Sequence, residues 1–367
     1  MSKVHIALVG GQTIPVFNAI MATQPDKVVF IYSEQSTEEV RLIVNEIGDI
    51  PSEKRKIPPT DISIIREKFA ECYERYKEDC IIVNISSGTK PWTFYAIAEA
   101  KANANIQFLY IDQNNRLFNL TTNQELNSNI AFDMDRQFRL QGTPIKRYRD
   151  FHSTFTKERE DFVLWQLRKL RAYKIQDFNA LTAGFSERPN QKYIELPTGS
   201  FLQKTDEGYI MRLVKKNGNG AEAILSSPCM RQLLMNTGWF EYQVASLLSQ
   251  WKYAKEIRMN CEFPSITNAP KNEIDIIVNT GDKLLFVECK TKIKDITAID
   301  KFRNATRVYG GVSSKPIFIT DEPLGPTEAE KCKDSRIPFF SLKNACQGFE
   351  IDFYKLLDDY VLGINTK

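Results

Sequence analysis

The sequence predicts an α/β protein made of two unlike sheets. Three observations carry that expectation. Between Val4 and Ile111, short apolar strands alternate with amphipathic helices. From Cys229 the order becomes helix, three strands, helix, strand, an α-β-β-β-α-β mixed sheet. The stretch between them, 151–228, follows neither pattern. Alternating strands and helices imply a mainly parallel sheet with helices on both faces.

The elements follow in order. Val4–Val9 is a strand, Gly10-Gly11-Gln12-Thr13 a turn, and a helix starts at Ile14. Lys27–Tyr32 is the second strand, and Val40, Ile43, Val44 and Ile47 have helical spacing. Ile62–Tyr76 is an amphipathic helix, Cys80–Ile85 a buried strand, Thr93–Ala104 a helix and Ile106–Ile111 a strand. Short strands and turns follow at Arg116–Leu120 and Phe138–Leu140. Thr156–Tyr173 is a helix with Phe162, Trp165, Leu167 and Leu170 among charges. Ala183–Gly220 is turn-rich, with alternating pieces around Tyr193 and Tyr209–Met211 that predict a small β element. The expected domains are 1–150, a linker helix and β element over 151–228, and 229–367. In the last, Met230–Trp251 is helical with a break at Gly238, and Ala254–Phe263 is a strand. Beyond a hairpin come a helix over Ile296–Tyr309 with Lys301, Arg303 and Arg307, a strand over Lys315–Thr320, a short helix over Glu328–Lys333 and an edge strand over Ile337–Leu342.

Composition narrows the chemistry. Lys and Arg number 49 against 46 Asp and Glu, so any basic surface has to be local. The seven cysteines are scattered without a Cys-x-x-Cys pair. That argues against a zinc ribbon or a disulfide scaffold and leads to the expectation of a reducing cytoplasm. Met1–Gly11 lacks the apolar core of a signal peptide, and no stretch has the length and apolarity of a membrane span. His5 and His152 are the only histidines, which disfavours a histidine zinc site or a Ser-His-Asp triad. Hydrolytic chemistry would rest on carboxylates, lysine and metal.

One hairpin has those groups. Glu273–Asn279 and Leu284–Lys290 flank Thr280-Gly281-Asp282-Lys283, whose Gly and Asp suit a tight turn. A two-residue loop pairs Thr280 with Lys283, and a four-residue loop pairs Asn279 with Leu284. Both registers set Asp275 opposite Glu288 and Glu273 opposite Lys290. Opposed residues share a face, with Cβ atoms roughly 4.5–5.5 Å apart. Two carboxylates that close, on apolar strands, repel unless a cation sits between them. A hard ion such as Mg²⁺ takes such oxygens. Lys290 would then orient or activate water, or neutralise charge on a phosphate. A surface salt bridge is the competing reading, and the apolar flanks favour the site.

In parallel sheets, ligands bind outside the carboxyl ends of the strands. Two loops stand out there, Gly10-Gly11-Gln12-Thr13 and Ser86-Ser87-Gly88-Thr89-Lys90-Pro91-Trp92. The second joins hydroxyls, a glycine and a lysine at a helix start, which favours an anion. Neither loop is a Walker A or Gly-x-Gly-x-x-Gly sequence, so an NTPase or dehydrogenase is disfavoured. An ordinary capped turn competes with phosphate binding, more strongly at the first loop.

The helix–three strands–helix–strand order, with Asp275 on the second strand and Glu288-Cys289-Lys290 on the third, resembles the PD-(D/E)XK nuclease superfamily over about residues 229–342. Glu273-Ile274-Asp275 stands where the motif has Pro-Asp. The resemblance implies Asp275 and Glu288 as ligands of Mg²⁺ or Mn²⁺, joined by the Cys289 backbone carbonyl and by Glu241 of Gly238-Trp239-Phe240-Glu241, with Lys290 in catalysis. Residues 1–150 resemble a CARF domain, the Rossmann-like sensor of cyclic oligoadenylates. Asn84-Ile85-Ser86-Ser87-Gly88-Thr89-Lys90-Pro91 matches the ligand loop of one CARF group, and Gly11-Gln12-Thr13 the loop after its first strand. The two halves together resemble the CARF–PD-(D/E)XK effector nucleases of type III CRISPR antiviral defence. That resemblance implies a homodimer with cyclic tetra-adenylate as allosteric activator. It also implies metal-dependent endonuclease action on DNA (single-stranded, or nicking of supercoiled DNA) and/or single-stranded RNA. The implied ligand contacts are Gly11, Gln12, Thr13, Asn84, Ser86, Ser87, Gly88, Thr89 and Lys90. Two rivals stay open: a ligand-independent repair or restriction nuclease with a dimerising Rossmann-like domain, and a catalytically dead nucleotide-sensing regulator.

Overall fold

The computed structural model describes residues 1–100, 105–127, 130–188, 190–264, 272–293, 295–311, 314–343 and 348–364. Its contacts divide the chain into two compact units. One is Met1–Ile145 with Tyr309–Ser313, and the other is Lys146–Val308 with Ser314–Lys367. The described residues of 151–228 therefore all fold into the same unit as the hairpin.

The first unit contains β1 (Lys3–Val9), α1 (Ile14–Thr23), β2 (Lys27–Tyr32), α2 (Thr37–Glu46), β3 (Ser52–Lys56), α3 (Ile62–Arg75), β4 (Cys80–Asn84), α4 (Lys90–Glu99), β5 (Ile106–Ile111), β6 (Leu117–Asn119), β7 (Gln124–Leu126) and α5 (Met134–Leu140). The sheet order is β3-β2-β1-β4-β5-β6-β7, parallel from β3 to β5 and antiparallel beyond. Alternation along β1 explains the two layers. Ile6 and Leu8 pack with Phe69 of α3 and Trp92 of α4 on one face. Ala7 and Val9 pack with Phe17 of α1 and Ile43 of α2 on the other.

Three local expectations change. Phe138–Leu140 is helical, because Asp133 caps Arg136 N–H and Met134 and Phe138 are buried one turn apart. Helix α4 starts at Lys90 rather than Thr93. Thr89 Oγ1 accepts from Trp92 N–H at 3.3 Å, and Pro91 suits the first turn. The expected helical residues 101–104 lie outside the described residues. β3 is an unanticipated strand, the polar Ser52-Glu53-Lys54-Arg55-Lys56, and its charges suit an unpaired sheet edge.

The second unit contains β8 (Arg147–Asp150), α6 (Phe151–Thr154), α7 (Lys157–Tyr173), α8 (Ile175–Glu187), β9 (Tyr193–Glu195), β10 (Phe201–Lys204), β11 (Tyr209–Val214), β12 (Gly220–Leu225), α9 (Met230–Leu234), α10 (Gly238–Leu248), β13 (Glu256–Phe263), β14 (Asn272–Asn279), β15 (Leu284–Lys290), α11 (Thr297–Gly310), β16 (Ser314–Thr320), α12 (Pro326–Asp334), β17 (Phe339–Ser341) and α13 (Phe349–Leu357). A mixed sheet runs β17-β16-β15-β14-β13-β8, and α10 packs on β13, β14 and β15. β9–β12 form the small antiparallel element expected around Tyr193 and Tyr209.

Helix α8 overturns the turn-rich reading from Ala183. Phe178, Leu181 and Phe185 recur on one face and are fully buried, each stabilising by about 1.5–3 kcal/mol. The break expected at Gly238 is present and separates α9 from α10. Asn236 (φ 49°) and Thr237 (φ 66°) turn the chain just before Gly238. Among the described residues, no helix is long and apolar enough to cross a membrane.

Candidate functional site

In the first unit the strand order reverses direction between β1 and β4, the switch point at which such sheets open a crevice. The loops after these strands meet there. Gly10 N–H donates to Ser87 Oγ at 3.0 Å. The approach requires glycine: a Cβ on Gly10 would lie 2.9 Å from Gly88 N. Gly88 itself has φ +87°, and a Cβ there would meet Leu8 and Trp92 at 3.0 Å.

A cavity of about 450 Å³ lies beside this junction. It brings together Gly11, Gln12, Thr13 and Ser86 of the expected ligand contacts. Tyr110, near the end of β5, and Asp112 and Gln113, just beyond it, also line it. Sequence reasoning missed these three, although the same carboxyl-end rule applied to the next strand would have found them.

Several expected contacts are internal struts. Thr13 donates its hydroxyl to Leu140 C=O at 2.6 Å. Asn84 is fully buried, and its Oδ1 accepts from Ser86 N–H at 2.9 Å and Ser86 Oγ at 2.6 Å. Ser86 Oγ in turn accepts from Ile111 N–H at 2.7 Å. Thr89 caps α4 and donates to Pro59 C=O at 3.1 Å. Asn84, Ser87, Gly88, Thr89 and Lys90 are not in the cavity wall; Lys90 is exposed at the start of α4.

The second unit holds the hairpin. β14 and β15 pair through Asn279–Leu284, Val278–Leu285, Ile277–Phe286 and Ile276–Val287, the four-residue-loop register. The next pair outward in that register is Asp275 with Glu288. Asp275 Oδ2 accepts from Cys289 N–H at 2.8 Å. Lys290 Nζ stands 2.6 Å from Glu288 Oε1 and 3.5 Å from Asp275 Oδ2. The ammonium thus bridges the two acids, and no bridge to Glu273 accompanies it among the described residues. The Cys289 side chain points into the core and its backbone borders the cleft.

Glu241 enters from the first turn of α10. It is buried, and its Oε2 accepts from Asn260 Nδ2 at 2.8 Å. The same amide donates to Glu273 Oε1 at 3.1 Å. Asn260 has φ 51° at a register shift in β13, a left-handed position that Asn tolerates better than most residues.

Burial, then the Asp275 charge, pushes the pKa of Glu241 above the carboxylate range. Glu288 rises for the same two reasons, with Lys290 opposing. Burial works against the Lys290 ammonium, but Asp275 and Glu288 outweigh it and its pKa is raised. Three carboxylates in one recess are short of positive charge.

All four residues line one cleft of about 680 Å³, together with Asn260, Glu273, Arg147, Arg149 and Arg231. Neither Asn260 nor the arginines were anticipated. Asn260 interrupts an otherwise strand-like stretch, a signal that was present in the sequence.

A parallel, doubly wound sheet with a polar cavity at its switch point defines the Rossmann-like class of ligand-binding domains. Within that class, residues 4–138 match the family model described as the Card1 CARF domain, and the first unit is a CARF domain of that kind. No curated protein matches the chain. Among solved structures, the chain is similar to Can2 from Sulfobacillus thermosulfidooxidans, solved in complex with cyclic tetra-adenylate: TM-score 0.71, 18% identity, covering 98% of this chain and 99% of that one. It is also similar to protein VC1899 from Vibrio cholerae: TM-score 0.70, 14% identity, covering 98% and 96%. A type III CRISPR defence DNA nuclease activated by cyclic oligoadenylate aligns at TM-score 0.55 and 17% identity, over 88% of this chain and 45% of that one. At these identities the likeness establishes the fold.

Proposed function

We propose that the chain is a cyclic tetra-adenylate-activated, metal-dependent endonuclease of type III CRISPR defence. In this reading the second unit is a PD-(D/E)XK nuclease domain, and the protein works as a homodimer in the cytoplasm. The observation that carries the reading is the Lys290 ammonium set between Glu288 and Asp275, with Glu241 facing the same cleft. A CARF domain on the same chain supports ligand control. The cyclic tetra-adenylate bound to Can2 supports the choice of ring.

As the side chains stand, no group of three or more His, Cys, Asp or Glu among the described residues is arranged to hold a metal ion. Glu288 is turned to Lys290 and Glu241 to Asn260. The donor chemistry nevertheless fits a hard divalent cation: carboxylate oxygens, two of them on acids with raised pKa, in a recess short of positive charge. Asp275, Glu288, Glu241 and the Cys289 carbonyl would hold Mg²⁺ or Mn²⁺. Such an ion supplies Lewis-acid polarisation of a phosphoryl oxygen and acidification of water. Lys290 would place positive charge where the phosphate gains negative charge.

In the first unit, Gly11, Gln12, Thr13 and Ser86 would meet the ring, with Lys90 adding charge from the α4 start. Phe94 and Ile97 of α4 are exposed apolar residues (63% and 49%), which supports a subunit contact on that helix. A two-fold dimer would present the same loops twice to a two-fold ring. The testing experiment is cleavage of single-stranded DNA, single-stranded RNA and supercoiled plasmid, with and without cyclic tetra-adenylate and Mn²⁺. Cleavage that requires both is expected. Cleavage indifferent to the ligand would overturn the control, and none with any substrate would overturn the nuclease.

A further inference from the structure

Two of the cations lining the cleft of the second unit are not held by its acids. Asp275 and Glu288 are served by Lys290. Glu241 and Glu273 share the Asn260 amide. Glu262 is paired with Arg147. Two guanidiniums remain in the wall. Arg149 on β8 makes one long contact, Nη1 to Asn260 Oδ1 at 3.4 Å. Arg231 on α9 donates its Nε–H to the Met235 sulfur at 3.4 Å. Neither forms an ion pair among the described residues. A guanidinium has five N–H donors in a rigid fork that matches a phosphate, so most of their donors have no protein acceptor among the described residues.

Their placement suits an anion from outside. The β8 register, Arg149 opposite Met259, sets Arg149 beside the shift at Asn260. Arg231 comes from a different element and lines the same 680 Å³ cleft as Asp275, Glu288 and Lys290. We propose that Arg149 and Arg231 form a clamp for backbone phosphates of the nucleic-acid strand that occupies the cleft, flanking the phosphodiester at Lys290. The proposal rests on the cleft being a nuclease centre and adds how the strand is held. Contacts of this kind position a strand without reading its bases.

Salt dependence of binding tests it. The full chain with cyclic tetra-adenylate, and with Ca²⁺ in place of Mn²⁺, is titrated against a labelled single-stranded oligonucleotide at several salt concentrations. Each phosphate contact contributes a slope of about 0.7 in log affinity against log salt for single strands. Arg149→Ala with Arg231→Ala should therefore flatten the slope by about 1.4, whereas Arg147→Ala, already paired, should change it little. A double variant that keeps the wild-type slope while the wild type binds would overturn the clamp and leave the nuclease reading standing. A wild type that binds no oligonucleotide would overturn both. If the double alanine variant melts early, Arg149→Gln with Arg231→Gln keeps the apolar stems and gives the same readout.

Discussion

Lys290→Met keeps the apolar stem of the side chain and deletes the charge that stands between Asp275 and Glu288. The two acids are 14% and 15% exposed, and the lysine 37%. The arrangement lies between an exposed pair, worth about 0–1 kcal/mol, and a buried one, whose breaking costs about 3–5 kcal/mol. A loss of about 2–3 kcal/mol follows. For a unit of this size each kcal/mol lowers the melting temperature by about 2–4 °C, so the variant should melt about 4–12 °C below wild type in chelator. Added Mn²⁺ should recover much of that loss, because the freed acids regain a counter-charge and binding to the folded state stabilises it. The assay is a thermal melt of both proteins in chelator and in Mn²⁺. A variant that melts with wild type in chelator would show that the ammonium is not holding the acids. A variant that gains nothing from Mn²⁺ would refute the acids as a cation site.

Three further outcomes are expected. Asn260→Gly keeps the left-handed backbone but strips the donor from buried Glu241. It should cost about 1–3 kcal/mol in urea unfolding, and Asn260→Val should cost at least ~1 kcal/mol more, since a β-branched residue resists positive φ. Gly10→Ala places a Cβ 2.9 Å from Gly88 N. Prying the two loops apart should cost about 1–3 kcal/mol and weaken cyclic tetra-adenylate binding in calorimetry. His5 is fully buried, bonded to Thr23 Oγ1 at 2.9 Å, and burial lowers its pKa from 6.5 to about 3. The folded state therefore binds that proton less readily than the unfolded one. Stability is intact above pH ~6.5 and falls by up to ~1.4 kcal/mol per pH unit as pH drops toward ~3. Unfolding of His5→Gln against wild type across that range should show a shallower loss.

The legible part of the fold is the part that alternates. Apolar runs such as Val28–Ile31 and Leu284–Val287 are buried strands, as their composition demands. The hairpin register was fixed in advance by the turn at Thr280–Lys283, so the Asp275–Glu288 juxtaposition followed from local chemistry. Polar edge strands were not legible. Ser52–Lys56 and Arg147–Asp150 carry no apolar pattern, because one side of an edge strand pairs and the rest meets water. Helix α8 was hidden because Gly184 and Ser186 read as turn residues, while its stripe of Phe178, Leu181 and Phe185 spans only two turns. The same limit applies at the sites. Asn84 and Thr13 sit where the loops meet, yet their polar atoms brace the fold, a matter of partners distant in sequence such as Leu140. Arg149 meets Asn260 only through the β8–β13 pairing, which joins residues more than a hundred positions apart.

In the proposed function one unit senses a ring and the other cuts. The direct measurement compares wild type with Glu288→Ala, recording cyclic tetra-adenylate binding by calorimetry and Mn²⁺-dependent cleavage in the same preparations. Both proteins should bind the ring alike, wild type should cut only when ring and metal are present, and Glu288→Ala should not cut. Undiminished cutting by Glu288→Ala, or equal cutting by wild type without the ring, would contradict the proposed function.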